Sequence, residues 1–177
     1  MGEIKSTLDL VMEKTRNLTL SSEEKAEQKF DEIHKQVKGF LLKYQDKVIN
    51  KNQLKKAIEA LRKNHGSMAD DILLRELLAT LKLDLDNDSH LDLLHEFCGS
   101  DIHELKSIFK EYKELMLVSG QKRIHLLKED LASKGFISGS AVLPNLEADN
   151  VWIAEVRKIK AKFEKRLQQE TKQLSKT

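Results

Sequence analysis

The chain has 177 residues, with 31 lysines and arginines against 29 aspartates and glutamates, one proline, one cysteine and 5% aromatic residues. Ala, Glu, Leu, Lys and Arg make up about half of it, the usage of long helices, and too few β-branched and aromatic residues remain for a sheet. A lone cysteine excludes an internal disulfide and a cysteine-only zinc site, and no apolar run approaches the roughly 20 residues of a membrane span.

The formal charge of +2 hides a pattern. Residues 1–66 carry 14 basic and 10 acidic side chains, 67–118 carry 5 and 12, 119–154 carry 4 of each, and 155–177 carry 8 and 3. Such alternation fits a chain that satisfies its own charge on folding or pairs head-to-tail with a copy. Dedicated nucleic-acid binders are more uniformly positive. The N-terminus lacks the apolar core of a signal peptide, so the expected compartment is the cytoplasm. Asn17-Leu18-Thr19 and Asn87-Asp88-Ser89 then match the glycosylation pattern by chance. The opening "MGEIKS" fits N-myristoylation, with Gly2 and Ser6 in place, but a charged Glu3 follows the glycine and an ordinary helix start explains the residues.

In chain order, Ile4, Leu8, Val11 and Met12 predict a short first helix. Ser21 with Glu24 forms a capping box ahead of the clearest periodicity in the chain. Ala26, Phe30, Ile33, Val37, Phe40 and Tyr44 step by 4, 3, 4, 3 and 4, a seven-residue rhythm that faces one partner helix. Leu54, Ile58 and Leu61 mark a third helix, closed by Gly66. Ser67 with Asp70 is expected to cap a strongly apolar one, running through Ile72, Leu73, Leu74, Leu77, Leu78 and Leu81. After "LDLDNDS", Ser89 with Asp92 caps a short helix ending at Gly99. Asp101 with Glu104 starts another, carrying Ile102, Leu105, Ile108, Phe109, Tyr112, Leu115 and Met116 and stopping near Gly120. A further helix holds Ile124, Leu127 and Leu131 and closes at Gly135, with Leu131 meeting Phe136 across the stop. Asp149 or Asn150 caps the last helix, whose narrow apolar seam is Trp152, Val156, Ile159, Phe163, Leu167 and Leu174. The two helices with long seams are plausible mates.

Between them, "KGFISGSAVLPNLEADNVW" is the one stretch of different character. "ISGSAV" fits a two-residue hairpin with glycine first, and a helix followed by such a hairpin is similar to the wing of winged-helix DNA-binding domains. No convincing helix-turn-helix precedes it. The residues match neither a phosphate loop nor a nucleophile elbow. The simpler reading is a joint, in which Phe136, Ile137, Val142 and Leu143 plug one end of the helices, Pro144 keeps Leu143 extended and Trp152 pins the final helix.

Chemistry-bearing clusters are sparse. Asp84, Asp86 and Asp88 copy the first three ligand positions of an EF-hand, but Ser89 stands where the glycine belongs and His95 where the bidentate glutamate belongs. His95 and Cys98, three apart on one helix face, are the candidate metal ligands, with His90 and His103 at the edges. Asp31-x-x-His34 and Asp92-x-x-His95 fall short of the Glu-x-x-His pairs of di-metal bundles. A reactive Cys98 thiolate would sit in the most acidic part of the chain, the wrong surroundings for one.

The resulting expectation is an all-α protein of seven or eight helices, elongated and coiled-coil-like. It is a single domain with a helical body over 1–134, a connector at 135–149 and a basic helix over 150–177. Its expected role is non-catalytic: a protein-interaction or scaffold protein without cofactor, self-associating or binding another helical protein. The seams for this are Phe30, Ile33, Val37, Phe40 and Tyr44, or Trp152, Val156, Ile159, Phe163 and Leu167. The alternatives are binding of nucleic acid or an anionic surface through Arg157, Lys158, Lys160, Lys162, Lys165 and Arg166, and a metal site at His95 and Cys98.

Overall fold

The computed structural model describes residues 21–176. Among them the structure is all-helical, with six α-helices and one 3-10 turn. The chain divides into two compact units, with the boundary between Leu73 and Leu74.

The first unit is built on α1 (Ser22–Gln45) and α2 (Lys51–His65), which pack against each other. Both starts are fixed by reciprocal caps, which satisfy backbone N–H groups that have no partner inside the helix. The Ser21 hydroxyl accepts from the Glu24 N–H at 3.1 Å, and the Glu24 carboxylate accepts from the Ser21 N–H at 2.7 Å. Asn50 and Gln53 repeat the arrangement at 2.9 Å in each direction. Along α1 the buried positions are Ile33, Val37 and Leu41, and along α2 they are Leu54, Ile58 and Leu61. Each such side chain contributes roughly 1.5–3 kcal/mol by leaving water. Gly66, at φ +60°, turns the chain directly into α3 (Ser67–Thr80). Asp70 does not cap α3 as expected. It pairs with Arg62 at 2.6 Å, clasping the end of α2 to the first turn of α3.

The second unit takes up Leu77 and Leu78 at the end of α3 and Leu81 just after it, then α4 (Asp88–Cys98), α5 (His103–Gly135), a 3-10 turn (Leu146–Ala148) and α6 (Asn150–Leu174). The loop between α3 and α4 is held by Asn87, only 4% exposed. Its amide donates to the carbonyls of Lys82 and Leu85 at 2.8 and 3.0 Å and accepts from the Lys82 N–H at 3.2 Å. A buried amide is tolerated because all these bonds are made. The expected Ser89–Asp92 cap is absent; α4 begins at Asp88, just after Asn87. Before α5, the Asp101 carboxylate does accept an early backbone N–H, that of His103 at 2.9 Å, while Glu104 turns to Arg166.

Two sequence expectations are corrected here. The helix expected to stop near Gly120 and the further helix expected to close at Gly135 are one helix, α5, of 33 residues, which brings the described total to six; the expected first helix at Ile4–Met12 lies outside the described residues. Gly120, which in the sequence resembles a helix stop, does not end the helix. It is helical and buried, and the Trp152 ring lies across it, with Cη2 3.4 Å from where a Cβ would stand. The glycine is there for close approach rather than for ending a helix.

The second correction concerns the hairpin. No strand forms over 136–149. Gly139 does turn the chain, with φ +131° and a Val142 N–H to Gly139 carbonyl bond of 3.3 Å. The arms, however, have no ladder to join: the Ile137 N–H is spent on the Leu131 carbonyl at the end of α5, and Pro144 has no N–H to give. The left-handed residue that ends α5 is Phe136 at φ +53°, not Gly135. Phe136 does not plug anything, because it is 92% exposed, with Leu143 at 84% and Ile137 at 52%.

α5 and α6 run antiparallel. Gly120 meets Trp152, the Tyr112 ring lies edge-on to Phe163 with centroids 5.6 Å apart, and Glu104 and Glu111 reach Arg166. In this register, residues 121–135 of α5 continue past Trp152 for roughly 22 Å at 1.5 Å per residue. The chain then returns along 136–149, and its 3-10 turn touches both helices.

Candidate interaction surfaces

The α5–α6 contact is apolar along its centre and closed by ion pairs along its edges. The seam residues Ile159, Phe163 and Leu167 are buried, while Trp152 and Val156 are half-buried. At the α4–α5 end, Arg166 donates to Glu111 at 2.6 Å and to Glu104 at 3.3 Å, with its guanidinium 5.3 Å from the Phe163 ring centroid. In the middle, Asp84 accepts from the Tyr112 hydroxyl at 2.7 Å and from the Lys160 ammonium. At the far end, Arg123 grips Asp149 with two bonds, Nη2 to Oδ2 at 2.7 Å and Nε to Oδ1 at 3.2 Å. Asp149 also accepts from the Trp152 N–H at 2.6 Å, so one carboxylate caps α6, favours its positive end and ties it to α5.

The electrostatics follow from these contacts. Lys160, and then the Tyr112 hydroxyl, hold the Asp84 carboxyl below the usual carboxylate range. Burial, reinforced by the bond to Asp84, pushes the Tyr112 phenol up to about 12. Arg123 and the Trp152 N–H lower Asp149, and Arg166 with Ser107 lowers Glu111. Each of these shifts carries the group away from neutrality, the opposite of what a general acid or base working near pH 7 needs. The ladder fastens one helix to another. A shallow groove beside the Asp84–Lys160 pair is floored by Leu78, Leu81, Leu83 and Leu167.

The expected basic patch is thereby split. Lys160 and Arg166 are consumed by carboxylates of the acidic segment 67–118. Arg157, Lys158, Lys162 and Lys165 are exposed and form no ion pair with any described residue; the Lys162 ammonium lies 5.8 Å from the Phe163 ring centroid. The seam of α1 is divided too: Ile33 and Val37 are buried, Phe40 and Tyr44 half-buried, and Phe30 lies at the exposed margin. Each long seam finds a helix inside its own unit, α2 for α1 and α5 for α6.

His95 and Cys98 share α4, but His95 is exposed with Nδ1 3.3 Å from the Ser100 carbonyl oxygen, and Cys98 is half-buried. No group of three or more ligand-type side chains gathers among the described residues. No helix among them is long and apolar enough to cross a membrane.

Sequence reasoning missed the long-range partners Arg123–Asp149 and Asp84–Tyr112–Lys160. The available signal was charge complementarity between segments, which names the sign of a partner and not its position. It also missed the exposed tip of the second unit. Compared with known proteins, the chain matches no family model, no curated protein and no solved structure.

Proposed function

We propose that this chain is a non-catalytic cytoplasmic interaction protein that associates with its own copy through the tip formed by the end of α5 and the returning segment. The observation that carries the reading is the exposure of three large apolar side chains, Phe136, Ile137 and Leu143, within eight residues of the segment that leaves α5. Clustered apolar side chains on a surface mark a site that is covered in use.

The occupant is argued from charge. Residues 119–154 carry four charges of each sign, and near the tip Lys134 pairs with Asp130 along α5 itself. In a two-fold interface the same patch faces itself, so a neutral apolar tip meets its copy without like-charge repulsion. The acidic segment and the basic helix have no such freedom. Self-association is therefore assigned to the tip in place of the two helical seams, whose innermost residues are already buried.

Analytical ultracentrifugation tests this directly. The wild-type chain is expected to show a reversible dimer at micromolar to tens of micromolar concentration, and the double variant F136S/L143S to be monomeric with unchanged helix content. A wild-type chain that stays monomeric at high concentration overturns the proposal.

A further inference from the structure

The lysines left over from the α5–α6 ladder form a pattern of their own. On α6, Lys158, Lys162, Lys165 and Lys172 step by 4, 3 and 7, the spacing that keeps side chains on one helix face. All four are exposed, with Gln169 exposed between them. Lys158, Lys165 and Lys172 are turned away from the buried seam of Ile159, Phe163 and Leu167, and Lys162 stands at the edge nearer to it, its ammonium 5.8 Å from the Phe163 ring centroid. No acidic residue stands between Lys158 and Lys172 in the row, where Glu164 and Glu170 fall to its sides; Glu155, three residues before Lys158, marks its N-terminal end. From Lys158 to Lys172 the row runs roughly 21 Å along a straight helix.

We infer that this row is a binding surface for the phosphate backbone of duplex nucleic acid, read without regard to sequence. Three features select that partner. A protein partner would need an apolar or aromatic anchor to desolvate at the centre of the contact, and the row between Lys158 and Lys172 holds none. A membrane surface would take a helix that inserts an apolar face, and the apolar face of α6 is already closed by α5. A single strand would be held by stacked aromatic side chains, and the only aromatic rings of α6, Trp152 and Phe163, lie on the seam side against Gly120 and Tyr112. What remains is binding by charge alone, and a row of lysines on a rigid rod suits a regular line of phosphates. Lys160 and Arg166, held by Asp84, Glu104 and Glu111, are outside this surface.

Fluorescence anisotropy with a labelled duplex of about 20 base pairs tests the assignment across about 50–200 mM salt. With four lysines each neutralising one phosphate, log K is expected to fall against log salt with a slope of about −3.6, and a variant with all four lysines changed to glutamine is expected to lose measurable binding. The four positions are exposed, so the variant is expected to melt with the wild-type chain, and the corresponding four-arginine variant is expected to bind as the wild type does. No binding at the lowest salt, or unchanged binding in the glutamine variant, overturns the inference. Equal affinity for a single strand, or binding to phosphatidylserine vesicles but not to the duplex, also overturns it. Because F136S/L143S leaves the row untouched, duplex binding by that variant separates this result from the fate of the self-association proposal.

Discussion

Trp152 packs against Gly120, its Cη2 and Cζ2 atoms 3.4 and 3.6 Å from the place a Cβ would occupy. A methyl group there reaches ordinary van der Waals contact, and alanine is favoured over glycine within a helix by about 1 kcal/mol. Gly120→Ala is therefore expected to be neutral or slightly stabilising. Gly120→Leu overfills the contact and is expected to cost roughly 1–3 kcal/mol. As Trp152 is the only tryptophan, urea unfolding followed by its fluorescence reports both, and a displaced ring appears as a red-shifted native spectrum in the leucine variant alone.

Asp149 joins two roles, cap and ion pair, and substitution separates them. Asp149→Asn keeps an oxygen for the Trp152 N–H and gives up the charge opposite Arg123; Asp149→Ala removes both. The expected order of thermal stability is wild type, then asparagine, then alanine, with steps of about 2–4 °C each. Because the carboxyl is lowered in the folded state, its contribution is complete above the unfolded carboxylate range and fades as pH falls below about 4. The difference between wild type and the asparagine variant is expected to shrink in that window.

The Tyr112 phenol, pushed up to about 12, stabilises the fold in the opposite direction of pH. A group whose folded pKa is raised contributes fully below its unfolded value near 10 and loses that contribution as pH rises toward 12. Tyr112→Phe is expected to cost about 1 kcal/mol at neutral pH through the lost bond to Asp84. Absorbance titration of the phenolates is expected to lose its latest step in that variant.

Asn87 is buried with three hydrogen bonds to the loop it closes. Asn87→Asp can no longer donate to the Lys82 and Leu85 carbonyls and places a charge among them. A loss of roughly 2–3 kcal/mol is expected by chemical denaturation.

Phe136 offers a variant whose two effects have opposite signs. A bulky residue in the left-handed region costs about 1 kcal/mol relative to glycine. Phe136→Gly is therefore expected to raise the melting temperature of the monomer while weakening self-association, measured by calorimetry and sedimentation on the same sample.

The sequence by itself determined the helical class, several helix ends and the inward residues of the seams. These are local matters: a cap is written within four residues, as at Ser21 and Glu24, and the face holding Ile159, Phe163 and Leu167 follows from 3.6 residues per turn. Only the tertiary structure decided what Gly120 is for, that Phe136 faces water, and which basic residues are spent. Lys160 finds Asp84 across 76 positions and Arg166 finds Glu111 across 55, while Lys158 and Lys165, with the same charge on the same helix, find no partner. Charge and hydropathy name what a side chain needs; the antiparallel register of α5 on α6 decides which side chains come within reach of it.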